Sequence, residues 1–238
     1  MNDYNNTQPS FLVKCSCYSL LILATVLIFF TAQTIQFYLN YYEISSIYVS
    51  FCAGFILFTP LVVLVLHPLI FVEKVDKAHS HFSVLMKNVG LVSLVQCLFF
   101  LIWMTDAIAV YSIYVDQNSF LAKAFNINRE NSADFSTEFF WFNLFLAWFF
   151  SLLSLVLGVM PCLIARIDNN GVVKNFVAGF SFAKKYKAKF SLAALALAGS
   201  TLMPLLYMKY LFIFSFPIVV ISVFLYFSNL LSQQKLPK

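Results

Sequence analysis

The chain has 238 residues, of which 61% are apolar and 11% are charged. A soluble domain usually carries about 25% charged residues, so a water-soluble fold of this size would leave much apolar surface exposed. With 6 Gly, 7 Pro and 5 Cys, the composition also excludes collagen-like, Pro/Gly-rich disordered and disulfide-scaffold proteins. The mean hydropathy of +0.85 predicts an integral membrane protein.

Six apolar stretches are long enough to cross a membrane, because a helix needs about 20 apolar residues to span roughly 30 Å of hydrocarbon. The last two stretches are separated only by Tyr207–Tyr210, but Pro204 disfavours one straight helix through both. The pattern therefore predicts an all-α fold, a polytopic transmembrane helix bundle of six spans in a single domain (1–238). The predicted spans are residues 17–39, 47–72, 89–115, 139–165, 190–208 and 210–231.

The basic residues predict the orientation of these spans, because cytoplasmic loops retain Lys and Arg. With the N-terminus in the cytoplasm, twelve of the 15 basic residues fall on the cytoplasmic side. The three on the other side are Lys123, Arg129 and Lys209. We therefore expect both termini in the cytoplasm (N-in and C-in).

Two cytoplasmic loops carry apolar stripes at helical spacing and predict interfacial amphipathic helices at about 73–88 and 172–183. A helix with a basic flank lies in the membrane interface and attracts anionic lipid headgroups, by about 1 kcal/mol per basic residue. Each helix either lies in the interface or packs its stripe on its own spans, and both arrangements can hold together. The second stripe is Val172, Val173, Phe176, Val177, Phe180 and Ala183, and the headgroup-binding candidates that follow it are Lys184, Lys185, Lys187 and Lys189.

A set of polar residues lies in the outer half of the predicted bundle. Asp106 is an acidic residue well inside a predicted span, and a charge in that position indicates a functional site. Lys209 is its candidate partner. The set predicts either a structural ion pair or a polar path for a proton or cation. The remaining members are Gln33, Gln36 and Asn143.

The weak candidates for a metal site are Asp76 and His79, which are three residues apart and share one side of a helix. His81 lies about 200° from His79 on a helix, and two ligands do not make a site. We therefore expect no metal and no cofactor. The chain also lacks the P-loop, HExxH and GxSxG motifs, and we expect no nucleic-acid partner.

The order of features over residues 158–230 forms a recognisable pattern. A proline-marked span precedes the amphipathic stretch 172–189, a span rich in small residues begins at Ser191, and the last span has Pro217 in its middle and Tyr226 near its end. This order resembles the YciC-like group of polytopic bacterial inner-membrane proteins, and is similar to the membrane domain fused to some glycerophosphodiester phosphodiesterases. The resemblance implies a membrane architecture in the bacterial cytoplasmic (inner) membrane and no particular activity.

The scarcity of polar residues leaves few places for catalysis. The sequence therefore favours a non-catalytic membrane accessory, assembly or envelope-homeostasis protein that acts through contacts with lipids, a protein partner or a second copy of itself. The alternative is a small transporter or channel subunit with Asp106 in its path, and a membrane-embedded enzyme is the third interpretation. Convergence of Asp106, Gln33, Gln36 and Asn143 on one cavity would favour transport.

Overall fold

The computed structural model describes residues 11–42, 44–56, 59, 62–66, 78–114, 136–167 and 171–233. Within these ranges every regular element is helical. Five helices there are long and apolar enough to cross a membrane. The protein thus has the all-helical architecture that its composition predicts, and it has the spans of an integral membrane protein. The five are Phe11–Tyr41, Met86–Ser112, Thr137–Ala165, Lys187–Tyr207 and Lys209–Ser232.

Helix α1 (Phe11–Tyr41) contains the first predicted span. Its apolar side chains surround the helix, and large ones such as Leu23 and Leu27 are exposed. Its buried residues recur mostly at four-residue spacing and form one seam. A helix of this kind fits the rim of a bundle in lipid, because it needs to pack only one side. The seam is Cys17, Leu21, Thr25, Phe29, Ala32 and Leu39.

The second predicted span, 47–72, is not one regular α-helix over its described residues. A 3-10 turn at Ser45–Ile47 leads into α2 (Tyr48–Gly54), residues 55, 56 and 59 have 3-10 conformation, and α3 (Val62–Leu66) follows. Residues 57, 58, 60, 61 and 67–72 lie outside the described part. The sequence agrees with an irregular helix here, since Pro60 lacks the amide hydrogen that a regular α-helix would use.

Helix α2 lies in the centre of the bundle. It packs on α1 and on three later helices, and all of its residues except Phe51 are buried. A Cβ atom at Gly54 would collide with the ring of Phe100. The close approach of the chain at this point therefore depends on glycine.

Helix α4 (Ala78–Tyr114) is one uninterrupted helix of 37 residues. It joins the later part of the first predicted interfacial segment (73–88) to the third predicted span (89–115), and residues 73–77 lie outside the described part. At 1.5 Å per residue the helix is about 55 Å long, which exceeds the roughly 30 Å hydrocarbon core. No proline lies between the predicted interfacial segment and the predicted span. The helix therefore continues through residue 89, where the span was expected to begin.

The fourth predicted span forms one continuous helix that contains a short π-helical segment. The helix consists of three parts, namely α5 (Ser136–Leu153), the π-helical segment (Ser154–Val159) and α6 (Met160–Ile167). The Met160 amide donates to the carbonyl of Leu155, five residues earlier. Pro161 comes next, and in a regular α-helix its ring would press on the carbonyl four residues back. The wider π turn relieves that contact.

Three helices complete the chain, namely α7 (Val172–Lys185), α8 (Lys187–Tyr207) and α9 (Phe212–Ser232). Helix α7 begins where the second interfacial helix is predicted, and α8 and α9 coincide with the last two predicted spans. A 3-10 turn at Lys209–Leu211 joins α8 to α9. The rings of Phe190 and Phe227 lie 4.3 Å apart between centroids, so the start of α8 lies beside the end of α9 in an antiparallel hairpin.

Candidate functional site

Helix α7 is attached to the bundle through a buried polar contact. The side-chain amide of Asn175 donates to the Oδ1 atom of Asn88 on α4 over 3.3 Å, and both residues are 0% exposed. A buried amide that loses its hydrogen bond costs about 1–3 kcal/mol. This pair therefore fixes both the position and the rotation of α7 against α4.

Close packing on the π-helical segment reinforces this attachment. A Cβ at Gly179 would lie 3.4 Å from the carbonyl oxygen of Val156, and equally close to side-chain atoms of Met160 and Pro161. An added Cβ would just reach van der Waals contact there, so the position has room for glycine or a very small side chain and α7 lies close to this irregular backbone. Phe182 and Ala183 complete the buried face of α7.

The buried face of α7 differs from the apolar stripe predicted from sequence. Asn175 is polar and lies opposite the predicted apolar stripe on the helix, yet it is buried. Three stripe residues instead project outward: Val173 is 77%, Val177 is 64% and Phe180 is 61% exposed. The Asn88 contact and the Gly179 approach set this rotation, and neither is visible in the hydropathy pattern. We call Val173, Val177 and Phe180 the apolar ridge.

The junction of α7 and α8 is a corner made of aromatic and basic side chains. Tyr186 is the single non-helical residue between the two helices, and its ring lies 5.0 Å from the Phe182 ring. The ammonium groups of Lys185 and Lys189 lie 5.5 Å and 5.0 Å from the Tyr186 ring centroid. Lys184 and Lys187 are exposed as well, so all four predicted headgroup-binding lysines are available at the surface of this corner.

Six described lysines lie at the same end of the bundle, which we call the basic end. The Asn88–Asn175 contact brings Lys87 to the end that carries Lys174 and the corner. Lys209 lies beyond the far end of α8, which has 21 residues and is therefore about 31 Å long. Among the described residues the acidic side chains are Asp106 and Glu138. The six lysines are Lys87, Lys174, Lys184, Lys185, Lys187 and Lys189.

The predicted outer polar residues do not meet at a single point. The Ser50 hydroxyl on α2 donates to Oδ1 of Asn143 over 2.6 Å, and the Asn143 amide donates to the Phe139 carbonyl over 2.8 Å. Of the five predicted residues, Asn143 thus contacts α2. The sequence did not predict Ser50 as the hydrogen-bond partner of Asn143, because composition does not show which helices α2 contacts.

Asp106 and the two glutamines lie elsewhere. Asp106 is exposed on α4, about one turn after the exposed side chain of Ile102. The described contacts include no ion pair between Asp106 and Lys209, whose 3-10 turn packs on α8 and α9. Gln33 and Gln36 are half-buried on α1, and the Nε2 atom of Gln33 is buried without a hydrogen-bond partner.

Gln96 on α4 is a further buried polar residue. Both of its side-chain amide atoms are buried without a partner, as is the indole nitrogen of Trp103. The two residues are seven apart and share one face of α4. An ordered water would satisfy such groups. The sequence signal that marks Gln96 is its place deep in an apolar span.

The weak metal candidates fall where the structure gives no side chains. Asp76 lies outside the described residues, and His79 lies on the first turn of α4, where only the backbone is described. Within the described part of the chain, no three His, Cys, Asp or Glu side chains come together as a metal-binding group.

Comparison with known proteins returned no match to a family model, to a curated protein or to a solved structure. The resemblance to the YciC-like group therefore remains a prediction from the order of features in the sequence.

Proposed function

We propose that this protein is a non-catalytic accessory, assembly or envelope-homeostasis component of a bacterial cytoplasmic membrane. It acts through lipid and protein contacts made at its basic end, with both termini in the cytoplasm. The observation that carries the proposal is the placement of α7. One face of this helix is fixed to α4 and the π-helical segment, while the apolar ridge and the corner lysines point away from the chain.

The three sides of α7 match three different surroundings. Asn175, Gly179 and Phe182 pack on the protein, the ridge is apolar and exposed, and Lys174 and Lys185 lie on a third side. Such a helix is stable where protein, acyl chains and water meet, which is the headgroup region beside a bundle. Fully burying a Val or Phe side chain is worth about 1.5–3 kcal/mol, so lipid or a partner on the ridge stabilises this position.

Photocrosslinking in intact cells tests the proposal. Replacing Phe180 with the photoreactive residue p-benzoylphenylalanine places the probe on the ridge, and we expect adducts with lipid or with another protein chain. The matched control is the same replacement at Phe182, two residues away but only 6% exposed, where we expect crosslinks within the chain. A Phe180 probe that forms no adduct with lipid or another chain would contradict the proposal.

The second candidate function is transport, and the 3-10 conformation that follows α2 in the second predicted span favours it. Transporters commonly bind their substrates where spanning helices are broken. Here the carbonyl of Ile56, after α2, accepts hydrogen bonds from Thr59 over 2.6 Å and from Ser154 of the π-helical segment over 3.4 Å. The cavity beside Thr59 has a volume of about 10 Å³, which is room for about one water molecule. Tight packing at this point supports the accessory function over a continuous path.

Proton flux distinguishes the two candidates. In proteoliposomes containing a pH-sensitive dye, transport that uses Asp106 predicts a flux that Asp106→Asn abolishes while the variant stays folded. The accessory function predicts the same flux, at the level of empty liposomes, for the natural chain and the variant.

A further inference from the structure

A groove between α8 and α9 opens at the corner. It has a volume of about 350 Å³ and an almost entirely apolar lining. Its length along α8, from Lys189 to Ala196, is seven residues or about 10 Å. Leu192 and Ala196 form one wall and Val223 of α9 forms the other, and Lys189 and Tyr226 stand at the mouth.

The mouth of the groove holds a positive charge in a fixed place. The Lys189 ammonium lies 5.0 Å from the Tyr186 ring centroid and 5.6 Å from that of Tyr226. Cation–π contacts with two rings restrict this flexible side chain. Lys185 and Lys187 are exposed beside it, and neither acidic residue of the described chain, Asp106 or Glu138, is at this corner.

The interior of the groove requires no polar partner. The Ser222 hydroxyl donates to the Ile218 carbonyl over 2.7 Å, so its hydrogen bond is already made. Behind the groove, Phe190 and Phe227 are fully buried against each other and hold α8 and α9 at a constant spacing. Ala193 and Ala196 are small, which leaves the space open between the two helices.

We propose that this groove binds one acyl chain of an anionic glycerophospholipid, with the lipid phosphate at Lys189. The inference rests on the proposed function and gives its lipid contact a specific site. A helix about 10 Å across has a volume of about 800 Å³ over the same length, so a groove of about 350 Å³ is better filled by a single acyl chain than by a helical partner. The cation at the mouth selects a phosphate headgroup that carries no compensating positive charge.

Native mass spectrometry of the full-length protein tests this site. The protein is extracted from nanodiscs that contain phosphatidylglycerol or phosphatidylcholine, and retained lipids are counted per chain. We expect one phosphatidylglycerol retained in preference to phosphatidylcholine. Lys189→Gln should lower this preference about fivefold, since one basic residue contributes about 1 kcal/mol. Ala196→Trp should abolish retention by filling the groove.

Two control variants separate this site from general effects. Lys209→Gln removes a lysine beyond the far end of α8 from the groove, and Leu195→Trp adds an indole on an exposed side of α8 outside the groove lining; both should retain the lipid. Equal phosphatidylglycerol retention by Lys189→Gln, Ala196→Trp and the natural chain would overturn the site. Retention of both lipids to the same extent would also overturn it. The Phe180 crosslinking experiment does not depend on these variants. Its failure would contradict the proposed function, whereas the groove is tested by the number of lipids retained per chain.

Discussion

Two regions of the molecule, the surroundings of α2 and the corner of α7 and α8, place their polar side chains differently. Around α2, polar groups bind one another inside the protein, as Ser50 and Asn143 do over 2.6 Å. At the corner of α7 and α8, lysines and the apolar ridge point away from the chain. A buried polar pair fixes how helices pack, whereas an exposed combination of apolar and basic groups is suited to an outside partner. The difference fits α2 as part of the fold and supports the proposal that the corner makes the contacts outside the chain.

The largest expected effect comes from reversing the charge of the corner. Replacing Lys184, Lys185, Lys187 and Lys189 with Glu removes the positive charge that, in the proposed orientation, attracts the start of α8 to the cytoplasmic surface by about 1 kcal/mol per residue. We expect a large fraction of the chains to insert wrongly, as measured by protease access to a C-terminal tag in spheroplasts.

The matched control for the charge reversal is replacement of the same four lysines with arginine, which keeps every charge. Normal insertion of the Glu variant would contradict a role for these four lysines in orienting the chain.

A substitution in α2 should destabilise the fold without changing lipid contact. Gly54→Val places a side chain against the Phe100 ring, and overpacking of this kind costs about 1–3 kcal/mol or more. The midpoint of thermal unfolding in detergent should fall. Gly90→Ala on α4 is the control, because no atom lies within 4 Å of the added Cβ, and its midpoint should hold or rise. Equal midpoints for the two variants would contradict the central position of α2.

The smallest effect concerns the Ser50–Asn143 hydrogen bond. A double-mutant cycle with Ser50→Ala and Asn143→Ala should give a coupling energy of about 0.6–1.7 kcal/mol, the range for hydrogen bonds between membrane helices. Unfolding in a mixed detergent series provides the measurement. Strictly additive effects would mean that the two side chains do not stabilise the fold through each other.

The features that depend on composition over a long window were predictable from the sequence. Helices α1, α8 and α9 begin and end within a few residues of predicted spans, because the need for about 20 apolar residues acts on each segment separately. The cluster of basic residues near the start of α8 is likewise a local feature, and it is visible in the sequence itself.

The features that depend on contact between segments were not predictable. The rotation of α7 follows from Asn88, which is 87 residues away from Asn175. The partner of Asn143 likewise depends on which helices meet. The separate interfacial helix expected over 73–88 continues into α4 at least from Ala78, since an apolar stripe does not state where a helix bends.

The depth of α7 in the membrane tests the central claim most directly. Spin labels at Val173→Cys and Lys174→Cys, each in a background without the five natural cysteines, report access to oxygen from lipid and to a nickel chelate from water. The two positions are adjacent, both are exposed, and they lie about 100° apart on the helix. In liposomes containing phosphatidylglycerol we expect the Val173 label to favour oxygen and the Lys174 label to favour the nickel chelate. Equal, high access to the nickel chelate at both positions would contradict the account.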